Sequence, residues 1–214
     1  MLLAALAAWI VQTVPQPAAP TQQRSGNGEL ASAALEMLPV KGRAPKTGYK
    51  RAQFGDGWAK LGNCDTRNLI LQRDLKDTIL EDDKCKVSTG SLNDPYTGKA
   101  IAFTRGASTS AAVQIDHVVA LSNAWQTGAQ QLSTERRMQL ANDPLELLAV
   151  DGPANQQKGD GDAATWLPSN KPFRCQYIAR QIAVKRKYAL WVAEPEKAAM
   201  ARVLSSCPEQ IMPA

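Results

Sequence analysis

Four cysteines, Cys64, Cys85, Cys175 and Cys207, are spread along the chain with no C-x-x-C pair among them. That spacing disfavours a cysteine-rich zinc centre, whose ligands arrive in close pairs. An even set in an exported chain reads instead as two disulfides. Three pairings are open, and sequence proximity favours Cys64 with Cys85 and Cys175 with Cys207, each closing a short loop. Four buried free thiols are the alternative.

The first residues carry the export reading. Met1 to Val14 is apolar and uncharged and runs into Pro15, Pro17, Ala18, Ala19 and Pro20. This matches the hydrophobic part of a secretory signal, without the usual basic start. An uncleaved anchor is the competing reading, although the stretch is short for a bilayer span of roughly 20 residues. We read residues 1–20 as a leader, 21–48 as a flexible linker and 49–210 as one folded domain. The linker has few bulky apolar groups to offset the entropy of ordering, apart from a short helix expected over Leu30 to Leu38. The protein is expected outside the cytoplasm, with a cytoplasmic chain as the alternative. No stable membrane partner is expected after leader removal, and the oligomeric state stays open.

From Tyr49 the pattern changes. Phe54, Trp58, Leu61 and Cys64 occur within a Gly-rich run, and the apolar spacing from Asn68 to Leu80 predicts a helix. Lys86 to Gly90, the turn Asn93 to Gly98 and Lys99 to Phe103 read as strand, turn, strand, a β-hairpin. Ala112 to His117 alternates Val113 and Ile115 with Gln114 and Asp116, a short strand ending in the acid and the histidine. Helices are expected around Ala120 to Trp125 and Thr134 to Ala141. Leu145 to Val150 reads as a strand closing at Asp151-Gly152-Pro153, with a helix opening at Asn155. A long segment from Pro172 to Trp191 and a last helix from Glu196 to Leu204 complete an α+β chain.

With 44% hydrophobic and 21% charged residues the composition excludes a disordered or fibrous protein. The net charge of +5 and a pI near 9.1 favour an anionic partner such as nucleic acid. No G-x-S-x-G elbow is present and His117 is the only histidine. With His117 assigned to another motif, no second histidine is left to serve a triad, so a serine or cysteine hydrolase finds little support.

Ile115-Asp116-His117-Val118-Val119-Ala120, followed by Asn155-Gln156-Gln157-Lys158-Gly159-Asp160, resembles the signature of HNH, or ββα-metal, nucleases. More narrowly, the body from Tyr49 to Cys207 resembles small exported HNH proteins of actinobacterial type. It also resembles the nuclease domain at the C-terminus of GmrSD-type modification-dependent restriction enzymes. Cys64-Asp65-Thr66-Arg67-Asn68, Asp94-Pro95-Tyr96-Thr97-Gly98 and Asn142-Asp143-Pro144-Leu145 add to that likeness. The resemblance implies a ββα-metal core with a β-hairpin and surrounding helices. It also implies an endonuclease that hydrolyses phosphodiester bonds in DNA, with RNA a second substrate, and uses Mg²⁺ or alternatively Mn²⁺.

Such a hydrolysis needs a deprotonated water in line with the leaving oxygen and a positive group on the phosphoryl oxygens. His117 suits the base, since an ordinary imidazole titrates at about 6.5. Asp116 and Asn155 are hard oxygen donors of the kind Mg²⁺ takes, and the resemblance makes both of them metal ligands. On an extended strand Asp116 and His117 face opposite ways, and the resemblance implies a bend at the strand end that brings both to one groove. Lys158, one helical turn beyond Asn155, is expected to touch the substrate backbone, with a solvated lysine as the alternative. Arg67 and Arg105 are candidates to brace a phosphate, with structural ion pairs as the alternative.

Glu146 stands where the family usually has Asn, whose side chain steadies the histidine loop. An ionised carboxylate there is expected to change metal affinity and raise the pKa of His117. A catalytically weakened protein that binds nucleic acid or the cell envelope is therefore the alternative function. Trp125 and Trp166 flank the two motif halves and read as core rather than base-stacking residues.

Overall fold

The computed structural model describes residues 28–213, so the leader 1–20 and the first part of the linker, 21–27, lie outside the described residues. Helix α1 (Ala31–Glu36) opens the described chain. Its Ala31, Ala34 and Leu35, with Leu38 beyond, are buried. That spacing is one apolar helical stripe, and it packs on two helices near the other end of the chain. The stretch from 28 to 48 read as flexible linker is thus in part a packed element.

Strands β1 (Lys60–Leu61) and β2 (Cys64–Asp65) pair antiparallel and lead into helix α2 (Thr66–Asp74). Asp65 caps that helix, its carboxylate accepting from the Asn68 amide at 2.8 Å. The helix expected over Asn68 to Leu80 therefore starts earlier and also ends early. Leu75 is extended, and Lys76–Leu80 forms strand β3. β3 pairs antiparallel with β4 (Val87–Asn93), which pairs in turn with β5 (Ala100–Thr104). The expected hairpin offers an open edge, and its long-range ladder overrides the local helical periodicity after Asp74.

Strand β6 (Val113–His117) runs antiparallel to β7 (Leu147–Asp151), with helices α3 (Leu121–Gln126) and α4 (Thr134–Ala141) between them. Helix α5 (Gly152–Lys158) follows β7 directly. Asp151 caps it by accepting from the Ala154 amide at 2.8 Å, and Pro153 occupies the first turn. Asn155 therefore sits inside this helix instead of opening it. Gly152 is obligatory, because a Cβ there would meet the Ala111 carbonyl oxygen at 2.1 Å. Helices α6 (Arg174–Lys187) and α7 (Glu194–Leu204) complete the fold.

The β6–β7 sheet separates two apolar clusters. Val113, Ile115, Leu147 and Ala149 pack with Ile70, Leu71, Val87 and Phe103 on one side. Leu148 and Val150 pack with Tyr177, Ile178 and Ile182 on the other. Burial on both faces explains why β7 reads as a continuous apolar run. Trp125 and Trp166 lie among aromatic core neighbours, Phe54 for the first and Tyr96 and Tyr177 for the second. Disulfides join Cys64 to Cys85 and Cys175 to Cys207, the pairing that proximity favoured.

Candidate active site

β6 delivers His117 at its C-terminal end, where the imidazole Nε2 lies 2.9 Å from the carbonyl oxygen of Ala141 at the end of α4. A carbonyl only accepts, so Nε2 carries the proton and Nδ1 keeps its lone pair. Nδ1 makes no hydrogen bond among the described residues, and the residue as a whole is 6% exposed. The indole of Trp58 lies parallel to the imidazole, with centroids 5.8 Å apart and planes 6° apart. The ring borders a cleft of about 140 Å³ lined by Arg51, Phe54, Gly55, Gly57, Trp58, Leu121 and Ala141. None of these is acidic. Burial, aided by the charges of Arg51 and Lys158, lowers the His117 pKa to about 3, against a smaller upward effect of the Ala141 bond. The ring is neutral at neutral pH.

Asp116 takes the opposite face of β6. Lys158 Nζ lies 2.9 Å from each of its carboxylate oxygens, and the Tyr96 hydroxyl donates to Oδ2. The same ammonium donates to the His117 carbonyl oxygen at 2.7 Å. Lys158 is only 3% exposed, so it braces the strand end from inside instead of reaching a substrate. Asn155 Nδ2 donates to Gln114 Oε1 at 2.9 Å. Gln114 with Asn155 and Asp116 with Lys158 thus fasten α5 to one face of β6. The expected bend bringing Asp116 and His117 to one groove does not occur, because Lys158 and Tyr96 hold the carboxylate on the helix side.

This arrangement does not fit a divalent ion held by Asp116 and Asn155. Both carboxylate oxygens are committed to an ammonium or a phenol, and an ion beside them would face the charge of Lys158. Among the described residues no group of three or more His, Cys, Asp or Glu side chains comes together to hold an ion.

Glu146 is fully buried. Its Oε2 accepts from the Val119 amide at 3.1 Å and its carbonyl from the Val118 amide at 2.8 Å, steadying the two residues after His117. Burial drives its carboxyl well above the ordinary carboxylate range. That burial opposes the extra negative charge expected there. The upward push expected on His117 is not seen either: burial, with the charges of Arg51 and Lys158, lowers its pKa.

Arg105 donates to the Val87 carbonyl at 2.7 Å and to Asn68 Oδ1, and lies 3.6 Å from Glu81, so it braces the β-hairpin. Arg67 is half-buried nearby, its pKa lowered by burial and by the charge of Arg105. Neither arginine lines the His117 cleft. The sequence reading missed Arg51, Trp58 and Tyr96 as site neighbours. The Gly55-Asp56-Gly57-Trp58 run was the available signal, a flexible backbone set beside an aromatic ring.

Fold and site together define a disulfide-bonded α+β protein of an oxidising compartment whose single histidine opens onto a cleft without acids. The chain belongs to the family of GmrSD restriction endonucleases, C-terminal domain, whose model matches residues 65–203. It is also similar to an uncharacterized secreted protein of Arthroderma benhamiae, 37% identical over 207 residues, covering 96% of this chain and 98% of that protein. No solved structure matches. Family membership bears out the likeness to GmrSD-type nuclease domains and suggests a nuclease acting on nucleic acid. The secreted relative and the two disulfides bear out the extracytoplasmic reading.

Proposed function

We propose that the protein is an HNH-type endonuclease that hydrolyses phosphodiester bonds in DNA, with His117 as its general base. The observation that carries this reading is the tautomer of His117. Ala141 fixes the Nε2 proton, leaving the Nδ1 lone pair unpartnered on a ring that borders a small cleft. In the step we infer, a water oxygen bonds to phosphorus and its proton passes to Nδ1. The bond to the 3′ oxygen breaks, and that oxygen takes a proton from solvent. The Ala141 carbonyl supports the imidazolium as it forms.

A base with a pKa near 3 in the free protein is weak. An arriving phosphodiester brings a negative charge beside the ring, which favours its protonated form and raises its basicity when substrate is present. Lys158, Asp116 and Tyr96 act here as positioning residues, holding the strand end from which the ring projects. The order β6, β7, α5 is the strand, strand, helix sequence of a ββα core, and it supports that finer fold reading. Family membership suggests a divalent ion in general. Asp116 and Asn155 do not form its cage in this arrangement.

The test is nicking of supercoiled plasmid, alongside single-stranded DNA and RNA, by the purified chain with Mg²⁺ or Mn²⁺. Cutting of DNA is expected. Binding of all three substrates without any cutting would replace this reading with that of a nucleic-acid binding protein.

A further inference from the structure

Arg51 is exposed, borders the same cleft as His117, and has no hydrogen-bond or ion-pair partner among the described residues. The segment bearing it is anchored at two points on α4. Arg137 Nε donates to the Gln53 carbonyl at 3.1 Å, and the Ala59 amide donates to Asn142 Oδ1 at 2.8 Å. Phe54 is buried between these points, while Gly55 and Gly57 take φ values of 104° and 117° that a side chain would strain. A guanidinium is thus held on a fixed scaffold next to an imidazole, with no carboxylate on the cleft wall. The cavity admits several waters, hence a phosphoryl group.

We propose that Arg51 receives the scissile phosphate, its guanidinium pairing two non-bridging oxygens while His117 Nδ1 faces the attacking water. Guanidinium geometry matches phosphate oxygens in this bidentate way. The assignment rests on the nuclease reading for its substrate, but its binding chemistry can be tested without turnover. It also gives the cleft a fixed positive group that Lys158, Arg67 and Arg105 do not supply.

The experiment titrates inorganic phosphate into the full chain and follows the amide signals of Gly55 and Gly57 and the indole N–H of Trp58 by NMR. Wild type, Arg51→Ala, Arg51→Lys and His117→Ala are compared, with thermal melts as the folding control. Plasmid nicking is measured on the same samples. Saturable shifts at these signals are expected in wild type and His117→Ala. Affinity should fall about tenfold or more in Arg51→Ala, with Arg51→Lys between. Equal phosphate affinity in wild type and Arg51→Ala, or shifts confined to other residues, overturns the assignment whether or not DNA is cut. Phosphate binding that needs Arg51 in a chain that cuts no nucleic acid supports Arg51 as the phosphate-binding group and removes the nuclease reading. Nicking that is unchanged in Arg51→Ala removes the assignment and leaves the nuclease.

Discussion

Lys158 Nζ lies 2.9 Å from each carboxylate oxygen of Asp116 with its side chain fully buried, and it also holds the carbonyl of His117. A buried ion pair contributes little net stability compared with an apolar pair, but losing one member strands a charge away from water. Lys158→Met is therefore expected to destabilise the fold by about 3–5 kcal/mol. The double variant Asp116→Asn/Lys158→Met should recover part of that loss. Chemical denaturation of the three proteins checks this, and equal stability of Lys158→Met and wild type would show that the pair is not the brace we describe.

The same pairing bears on metal binding. Because the Asp116 carboxylate is committed to Lys158 and Tyr96, and Asn155 to Gln114, neither Asp116→Asn nor Asn155→Ala should change the affinity of the chain for Mn²⁺. Calorimetric titration reads this directly. A fall of about tenfold or more in either variant would mean that the side chains leave their partners to take the ion.

How much of this was legible in the sequence depended on how local the cause was. The hairpin of β4 and β5, strand β6 and helix α4 follow from alternation, turn residues and helical spacing within a few positions. The boundary between α2 and β3 does not, because it is set by the ladder to β4. The alternation along β6 puts Asp116 and His117 on opposite faces, and the structure keeps them there. Lys158 one turn after Asn155 reads as a substrate contact, or else a solvated lysine, until Asp116 is known to lie opposite. The Gly-rich run before Trp58 marks a flexible segment beside an aromatic ring, but nothing local ties it or Arg51 to His117. Only the docking of their segment on α4 brings them to a histidine more than fifty positions away.

Glu146 predicts a pH dependence of stability. Its folded pKa is raised well above the ordinary 4.5 by burial, so the folded chain keeps a proton that the unfolded chain releases. Its contribution is complete below about pH 4.5 and is lost as pH rises towards the folded pKa, by at most about 1.4 kcal/mol per pH unit. Glu146→Gln cannot ionise. It is expected to match wild type at pH 4 within a small constant difference and to become progressively more stable than wild type towards pH 8. Parallel stability curves across that range would mean that the carboxyl is not held neutral.

Trp58 tests the cause of the low His117 pKa. Its indole lies against the ring, and burial is the largest of the effects that lower the pKa to about 3. Trp58→Ala opens that face to water and should move the titration up towards 6.5. The single histidine gives a single pair of ring proton signals, so an NMR titration reads the value without assignment. A midpoint that stays near 3 would shift the cause to deeper packing or to the neighbouring cations.

The most direct test of His117 as a base is the DNA nicking rate of His117→Ala with and without added imidazole, compared with wild type. The account predicts a loss of about 10²–10⁴-fold that imidazole partly restores, because the vacated ring space opens onto the cleft beside Arg51 and Trp58. A His117→Ala protein that nicks DNA at the wild-type rate, indifferent to imidazole, would contradict it.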